Sequence, residues 1–347
     1  MRSLPQISDP VFNPTSYNAV DKFWLKRIRD ERDLPFVYLT KKITFIMVPL
    51  GILLFLPFIQ GWVWWLIAVL YFIFNNFVFK GPFGLMLHCT SHRTWFKKKY
   101  GWANYYLPWF IGPFFGQTPD TYASHHLGMH HRENNLEKDL SSTMQYQRDS
   151  LGDFLLYFMN FFFLGAITLS IYFDRRNQNK LRNRVIRGEI VFILMCIGLA
   201  FISWQATLWV FVLPFFLSRL IMMMGNWAQH SFLDHEDPGN SYKNSITCIN
   251  TKYNHKCWND GYHISHHIKP GLHWTLHPDH LQSNLKEYQE NKALVFAELD
   301  FLLVWIYLMR KNYKKLADHL VNINDMFQSE KEAIAVLKSR TEKIANP

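Results

Sequence analysis

Long apolar runs alternate with polar stretches along the chain, and several runs are long enough to cross a membrane. A helix needs about 20 mostly apolar residues to span the hydrocarbon core. Residues 43–60 and 62–79 form one pair of such runs, and residues 189–203 and 206–225 form a second pair. Because almost no linker separates the members of a pair, each pair is predicted to be a helical hairpin that crosses the membrane and returns.

A fifth apolar run, residues 151–173, is also long enough to span, but the basic residues argue against a full crossing. Lys and Arg clusters near the ends of spans stay on the cytoplasmic side. One cluster lies within residues 80–99 and another within residues 175–187. A single crossing by the fifth run would put these clusters in opposite compartments. The run is therefore predicted to be interfacial or re-entrant, as is the proline-broken stretch 105–115. Residues 295–309, which include two acids, are predicted to form an interfacial or docked helix.

These patterns predict an all-α membrane protein with four spanning helices in two hairpins and a cytoplasmic helical cap, in one domain. A soluble helical protein with a very apolar core is the alternative, but uncharged hairpins of this length are rarely found in soluble folds. The polar N-terminal arm has an amphipathic patch that can lie on a membrane surface. The predicted segments are the N-terminal cytoplasmic arm (1–42), the first spanning hairpin (43–80), a cytoplasmic and interfacial region (81–188), the second spanning hairpin (189–225) and a second cytoplasmic region (226–347).

Composition narrows the range of partners. The chain has 37 Lys and Arg against 27 Asp and Glu, which leaves a formal net charge of +10 over 347 residues. A basic balance is typical of nucleic-acid binding, but positive-inside loops account for it here, so no nucleic-acid partner is predicted. The 4 cysteines include no CxxC pair and are predicted to be reduced thiols. The 16 histidines are more informative, because of where they fall.

Nine of the histidines gather in four motifs, which we call the first to fourth motifs. They are residues 88–92 (HCTSH), 126–131 (HLGMHH), 226–230 (NWAQH) and 263–267 (HISHH). On a helix, histidines four residues apart lie on one face and point to the same place. One zinc ion takes three or four protein ligands, so nine are too many for one ion. Two metal ions fit the count, and a nitrogen-rich pair with few carboxylates at a membrane surface indicates redox chemistry more than hydrolysis.

In order and spacing, the motifs resemble those of the membrane fatty acid desaturase/hydroxylase superfamily, the histidine-box di-iron enzymes. The resemblance extends over residues 62–280, most of the chain. It implies two iron ions, O₂ as co-substrate, and a role near the metal for Asn226 of the third motif, through water or a neighbouring ligand. It implies that the iron ligands are His88, His92, His126, His130, His131, His230, His263, His266 and His267.

Some positions depart from the family pattern or keep alternatives open. Cys89 stands where many members have Glu or Asp, which removes one acceptor for an imidazole N–H. His125 is an alternative to His126 as ligand. Asp260, three residues before His263, is the acid expected to orient a ligand imidazole by accepting its other N–H. Alternative acids for that role are Glu133, Glu137, Asp139 and Asp234. Structural or supporting roles are expected for His235, His255, His273, His277 and His280.

By resemblance, the expected function is that of an O₂-dependent fatty acyl desaturase, which introduces a double bond into an acyl chain of a membrane lipid or thioester. A hydroxylase or alkane-type monooxygenase of the same fold is the alternative, because the motifs indicate the chemistry better than the substrate. A zinc-dependent membrane hydrolase and a non-enzymatic metal carrier are alternatives from other classes. The sequence has no His-Pro-Gly-Gly segment of a fused cytochrome b5, so a separate electron donor of the ferredoxin or cytochrome b5 type is expected. The protein is expected to be an integral multi-pass membrane protein with its active site on the cytoplasmic face.

Overall fold

The computed structural model describes residues 1–13 and 16–344, and these residues are mostly helical. They form two compact units, each assembled from separate stretches of the chain. The first unit consists of Met1–Phe12, Leu127–Gly165 and Ile221–Pro347, and the second unit consists of Asn13–His126 and Ala166–Leu220.

Within the described residues, four helical runs are long and apolar enough to cross a membrane. They are Glu31–Leu53, Gly61–His92, Leu151–Arg175 and Asn179–Gln229. The predicted class, a mostly helical protein with four candidate spans, is confirmed. The four candidate spans are not the four predicted ones. The two predicted helices of the second hairpin form one helical run, and Leu151–Arg175, which was predicted not to cross fully, is the fourth candidate. The interfacial position of that helix stays a prediction, as does the cytoplasmic placing of the motifs.

The first predicted hairpin has a longer turn than its apolar pattern suggests. Its first helix, Leu34–Leu53, begins well before the apolar run, because the polar residues 40–42 interrupt the pattern but not the helix. Residues 54–60 form the turn, where the indole Nε1 of Trp64 donates to the carbonyl of Leu54 at 2.9 Å. The two helices therefore meet through a fixed turn rather than a single glycine.

The returning run of this hairpin carries the first motif at its end. It consists of the α-helix Gly61–Ile73, the π-helical segment Phe74–Phe79 and the α-helix Lys80–His92. Segments of π-helix are rare and are often found near functional sites. Within this one, Asn75 Nδ2 donates to the carbonyl of Phe114 at 2.8 Å, so a polar side chain inside an apolar run has a partner. Because the helix continues beyond the apolar residues, the first motif lies on it.

The second predicted hairpin has its turn at Ser203. The backbone of this residue is not helical, with φ −156° and ψ 103°. Phe192 on one arm stacks on Phe215 of the other, with ring centroids 5.2 Å apart. Since these two rings lie at similar distances in sequence from Ser203, the arms run side by side in opposite directions, as a hairpin requires.

The predicted helix over residues 295–309 is wrong in its first part. Leu294–Ala297 is instead a β-strand, and it pairs in parallel with the strand Ile246–Ile249. The helix begins only at Phe301, where the Asp300 side chain accepts a backbone N–H of the first turn. Four consecutive apolar residues look alike in a buried strand and a buried helix. The choice depends on the partner strand, which lies far away in sequence.

Shorter helices complete both units. In the second unit they are Ala19–Leu25, Glu31–Asp33, Lys98–Tyr105, Tyr106–Ile111, Gly112–Phe115 and Thr121–His125. The helical run of the second hairpin consists of three segments: Asn179–Thr207, Leu208–Val212 and Leu213–Gln229. The π-helical segment His126–His130 comes directly after Thr121–His125. In the first unit they are His131–Glu133, Ser241–Asn244, Lys252–Lys256, His263–Ile268, Trp274–Leu276, His277–Ser283, Leu285–Glu290, Phe301–Met309, Tyr313–His319, Ile323–Asp325 and Glu330–Ser339.

Candidate metal centre

Four histidines of the first unit converge in one cluster, which we call the histidine quartet. The ligand nitrogens of His130, His230, His263 and His267 all lie within 4.8 Å of one another. His263 Nε2 is 3.1 Å from His230 Nε2 and 3.1 Å from His267 Nε2. Three of the side chains are buried, and His267 is partly exposed. The second, third and fourth motifs all contribute to this cluster.

Local structure explains why these side chains meet. His263 and His267 are four residues apart on the helix His263–Ile268, so their rings lie on one face. His230 directly follows the long helical run of the second hairpin, and its backbone N–H still donates to the carbonyl of Asn226 at 3.1 Å. This i,i+4 hydrogen bond within the third motif thus holds His230 at the end of that run.

Hydrogen bonds set the orientation of two quartet rings. His230 Nδ1 is 2.8 Å from the carbonyl oxygen of Asn244. A carbonyl oxygen only accepts, so Nδ1 carries the proton and Nε2 keeps its lone pair for a metal. His130 Nδ1 is 2.7 Å from Oδ2 of the buried Asp139 and donates to it. Such partners fix both the tautomer and the ring orientation of a ligand imidazole.

Burial keeps two of the quartet imidazoles, His230 and His267, in the neutral form. Burial and, after it, the neighbouring His130 lower the pKa of His230 to about 3. Burial also lowers the pKa of His267 well below the ordinary 6.5, with the nearby His263 as the next cause. Metal ligation needs the neutral imidazole. At neutral pH these two rings are therefore already in the form that binds a metal.

The two separations around His263 fit ligands of one transition-metal ion. Imidazole nitrogens bind such an ion at about 2.0–2.1 Å, so two of them bound at right angles are about 3.0 Å apart. The two separations of 3.1 Å around His263 are close to this value. Neutral imidazole is a ligand for iron, zinc, copper and nickel. The residues present therefore fit a first-row metal.

The same unit contains a further pair of motif histidines. His131 Nε2 and His266 Nε2 are 2.8 Å apart, and their ring centroids are 4.6 Å apart. Each residue is the sequence neighbour of a quartet member, in the second and fourth motifs. Both motifs thus present one face to the quartet and another to this pair.

In the second unit, the first motif meets the beginning of the second. The ring centroids of His88 and His92 are 5.0 Å apart, as expected for an i,i+4 pair on a helix. His126 Nε2 is 3.0 Å from His92 Nε2, and its ring centroid is 4.6 Å from that of His88. Tyr122, one turn earlier, stacks on His126 with centroids 5.4 Å apart. Within the described residues, His126 belongs to a group of histidines whose nitrogens lie close enough to hold a metal ion, and His125 does not.

Asp139 is an acid that contacts a quartet imidazole. It lies nine residues after His130, in a loop, and this spacing carries no sequence signal of its own. Asp260, which the sequence favours, accepts from the hydroxyl of Tyr253 at 2.6 Å and from Gln229 Nε2 at 3.3 Å. Asp139 is one of the alternative acids of the sequence analysis, and its contact with His130 is of the expected kind. The role of Asp260 stays a prediction.

Asn226 is linked to the loop that carries Asp139. Its Nδ2 donates to the hydroxyl of Tyr157 at 2.7 Å and to the carbonyl of Ser141 at 2.9 Å. Ser141 Oγ in turn donates to Asp139 Oδ1 at 2.7 Å. Sequence reasoning did not identify Tyr157, because it lies in an apolar run where a tyrosine looks like core. Asn226 is therefore connected through Ser141 to the acid that contacts His130, and its role near a metal stays a prediction.

Two of the other histidines hold their local backbone and neighbours. His277 Nδ1 is 2.7 Å from Oγ of Ser265, which lies within the fourth motif. His273 Nδ1 accepts from the N–H of Thr275 at 3.3 Å and caps the short helix that begins there. These contacts are of the supporting kind that the sequence suggests.

Comparison with known proteins identifies the same stretch of chain. The sequence model named Fatty acid desaturase matches residues 64–298, which contain all four motifs and more than half of the 347-residue chain. No curated protein and no solved structure matches. The match agrees with the resemblance of the motifs and with clusters of histidines in a helical protein that has candidate membrane spans. The chain therefore belongs to the fatty acid desaturase family.

Proposed function

We propose that this protein is an O₂-dependent di-iron fatty acyl desaturase, which introduces a double bond into an acyl chain of a membrane lipid or thioester. Its family is of the desaturase/hydroxylase type and carries out oxidoreductase chemistry. The observation that carries the proposal is the histidine quartet, a mostly buried set of four imidazoles built from three of the family's motifs.

The proposed iron ligands are the nine motif histidines. The quartet supplies four nitrogens for one ion, and its spacing supports that assignment. The other five are proposed as iron ligands on the strength of the family pattern and their number: His88, His92, His126, His131 and His266. When bound, the iron pair would supply the O₂ chemistry that is needed to remove hydrogen from an unactivated C–H bond, which side chains cannot supply.

The residues of the chain have distinct tasks in this proposal. Asp139 holds the proton of His130 Nδ1, and the carbonyl of Asn244 holds that of His230 Nδ1, so both rings present Nε2. Asn226 fixes the loop of Asp139. Burial excludes water from three of the four quartet side chains. Electrons are proposed to come from a separate donor of the ferredoxin or cytochrome b5 type, at the cytoplasmic face.

The test is expression in a host of known lipid profile, followed by lipid mass spectrometry and metal analysis. Desaturation appears as the loss of two hydrogens from an acyl chain, whereas hydroxylation appears as the gain of one oxygen atom. His263→Ala is expected to abolish the product while the protein stays in the membrane. His255→Ala, an exposed histidine outside the grouped ligand sets, is the matched control and keeps activity.

Each result separates two functions. Iron with O₂ consumption and a desaturated lipid supports the proposal. A hydroxylated lipid would show that the protein is a hydroxylase. Bound zinc with hydrolytic activity, or metal transport without a reductant, would refute an oxidation reaction. A fully active His263→Ala variant would contradict the ligand assignment.

A further inference from the structure

Residues near the N-terminus are docked on the first unit beside the fourth motif. Met1–Phe12 belongs to that unit. The carbonyl of Gln6 accepts from Asn250 Nδ2 at 2.9 Å, and the N–H of Ser8 donates to Asn250 Oδ1 at 2.8 Å. Asn259 Nδ2 donates to the carbonyl of Pro10 at 2.7 Å. Residues 6–10 therefore follow the chain that leads from the strand Ile246–Ile249 to the fourth motif.

Asp9 is the side chain through which this segment reaches the motif. It is only 4% exposed. Its Oδ2 accepts from the hydroxyl of Tyr262 at 2.7 Å and from the N–H of Asn250 at 2.7 Å, and its Oδ1 accepts from the N–H of Thr251 at 3.3 Å. A buried carboxylate is costly unless it is hydrogen-bonded, and these donors satisfy it. The position of Asp9 is therefore coupled to the position of Tyr262.

Tyr262 determines where the helix of the fourth motif begins. It directly precedes His263, it is fully buried, and its carbonyl accepts from the N–H of His266 at 3.0 Å. The helix His263–Ile268 has only 6 residues, and its N-cap side chain makes no capping hydrogen bond. A helix this short is not stable by itself. Contacts from outside must hold its direction.

We propose that Asp9 is a positioning residue for the metal site and acts through Tyr262. This inference rests on the proposed function, because it requires that the fourth motif holds a metal. Outer partners of ligand residues typically change metal affinity by about 10–100-fold when they are mutated. Asp9 lies one residue further from the metal than such partners, because it acts through Tyr262, which it precedes by 253 residues. The lower end of this range is therefore expected for it.

The test measures binding of cobalt(II) alone to the purified full-length protein, by its visible absorption, without any activity. Asp9→Asn keeps the size of the side chain but leaves one acceptor oxygen in place of two, so the three donors from Tyr262, Asn250 and Thr251 can no longer all be satisfied. Tyr262→Phe removes the hydrogen bond between Tyr262 and Asp9 from the other side. Each variant is expected to raise the half-saturating cobalt concentration about tenfold. The double variant is expected to bind cobalt as tightly as the weaker-binding single variant, because the two substitutions affect the same hydrogen bond.

Arg2→Ala is the matched control from the same segment. It removes the ion pair between Arg2 and Glu298, 2.6 Å long and partly exposed, which does not involve the fourth motif. Cobalt binding is expected to stay at the wild-type level. The thermal melting of the metal-free variants is recorded in parallel, since a merely structural role predicts a lower melting temperature with unchanged cobalt affinity.

The outcomes separate this inference from the proposed function. Wild-type protein that binds no cobalt refutes the ligand assignment, and this inference with it. Wild-type protein that binds cobalt, with both variants binding as tightly, overturns the role of Asp9 alone. If Asp9→Asn does not fold, Tyr262→Phe decides by the same criterion. If neither folds, the contact serves the fold and the proposal is overturned.

Discussion

At the scale of single residues, the acceptor behind each imidazole decides what the ring can do. His130 and His230 both give their Nδ1 proton to oxygen, one to the Asp139 carboxylate and one to the carbonyl of Asn244. Only the carboxylate adds negative charge behind the ring, which raises the basicity of the ligand. The two acceptors also differ in how well a sequence predicts them. A carboxylate can be recognised by its residue type, whereas every residue has a backbone carbonyl.

Replacement of Asp139 by asparagine is expected to weaken metal binding by about 10–100-fold. The substitution removes the negative charge behind His130 and leaves the shape of the side chain nearly unchanged. Cobalt or iron affinity, measured by competition with a chelator, checks this expectation. The control is Asp237→Asn, an exposed acid whose partners are Lys243 and Asn240.

The same measurement tests the acid that the sequence favours. Asp260→Asn is expected to change metal affinity less than Asp139→Asn, because the hydrogen bonds of Asp260 to Tyr253 and Gln229 do not themselves involve a quartet ring. An equal or larger loss for Asp260→Asn would show that Asp260 orients a ligand, and would reverse the ranking.

At the scale of elements, close approach between segments of the second unit places the second motif. Gly188 lies on the first arm of the second hairpin, and a Cβ built there would be 1.8 Å from the carbonyl oxygen of Pro119. Pro119 shortly precedes the helix Thr121–His125, which leads to His126. The absence of a side chain at one helical position thus lets the segment before a motif histidine lie against the hairpin.

Gly188→Ala is therefore expected to destabilise the protein by about 1–3 kcal/mol, the usual cost of overpacking. Because the displaced segment leads to His126, iron content is expected to fall as well. Gly198→Ala is the control on the same run, since a Cβ there has no neighbour within 4 Å. Alanine suits a helix better than glycine, so the control is expected to be neutral or stabilising by up to about 1 kcal/mol. Thermal melting and metal analysis of both variants provide the measurement, and equal behaviour of the two would refute the packing argument.

At the scale of the whole molecule, the motif histidines are divided between the two units. The first unit contains six of them, including the complete quartet, and the second contains His88, His92 and His126. The quartet brings together residues of three motifs that are far apart in sequence. A metal bound there crosslinks the chain, and binding to the folded state alone stabilises that state.

Removal of metal by a chelator is expected to lower the melting temperature of the wild-type protein. Free metal at a hundredfold excess over Kd adds about 2.7 kcal/mol to the free energy of unfolding. His263→Ala lacks a quartet ligand and is expected to show a smaller change on chelation, whereas His255→Ala is expected to behave like the wild type. Differential scanning fluorimetry with and without re-added metal checks this. A shift in His263→Ala as large as that of the wild type would place the stabilising metal elsewhere.

The sequence by itself determined the properties that depend on neighbours along the chain. Apolar length indicates candidate spans, because the bilayer sets a minimum length. Spacing of three and four residues brings His263 and His267, or His88 and His92, onto one helical face. The order of the motifs indicates the family. These conclusions hold because each rests on a few adjacent residues whose geometry is nearly independent of the rest of the fold.

Only the tertiary structure decided which distant groups meet. Leu294–Ala297 became a strand because Ile246–Ile249 is available to pair with it. Asp139 was selected from several acids, and Asp9 reached Tyr262 across 253 residues. Many segments and side chains share the apolar pattern or residue type of the actual partner, so the sequence does not distinguish them. The folded chain does, because its buried polar groups need hydrogen-bond partners.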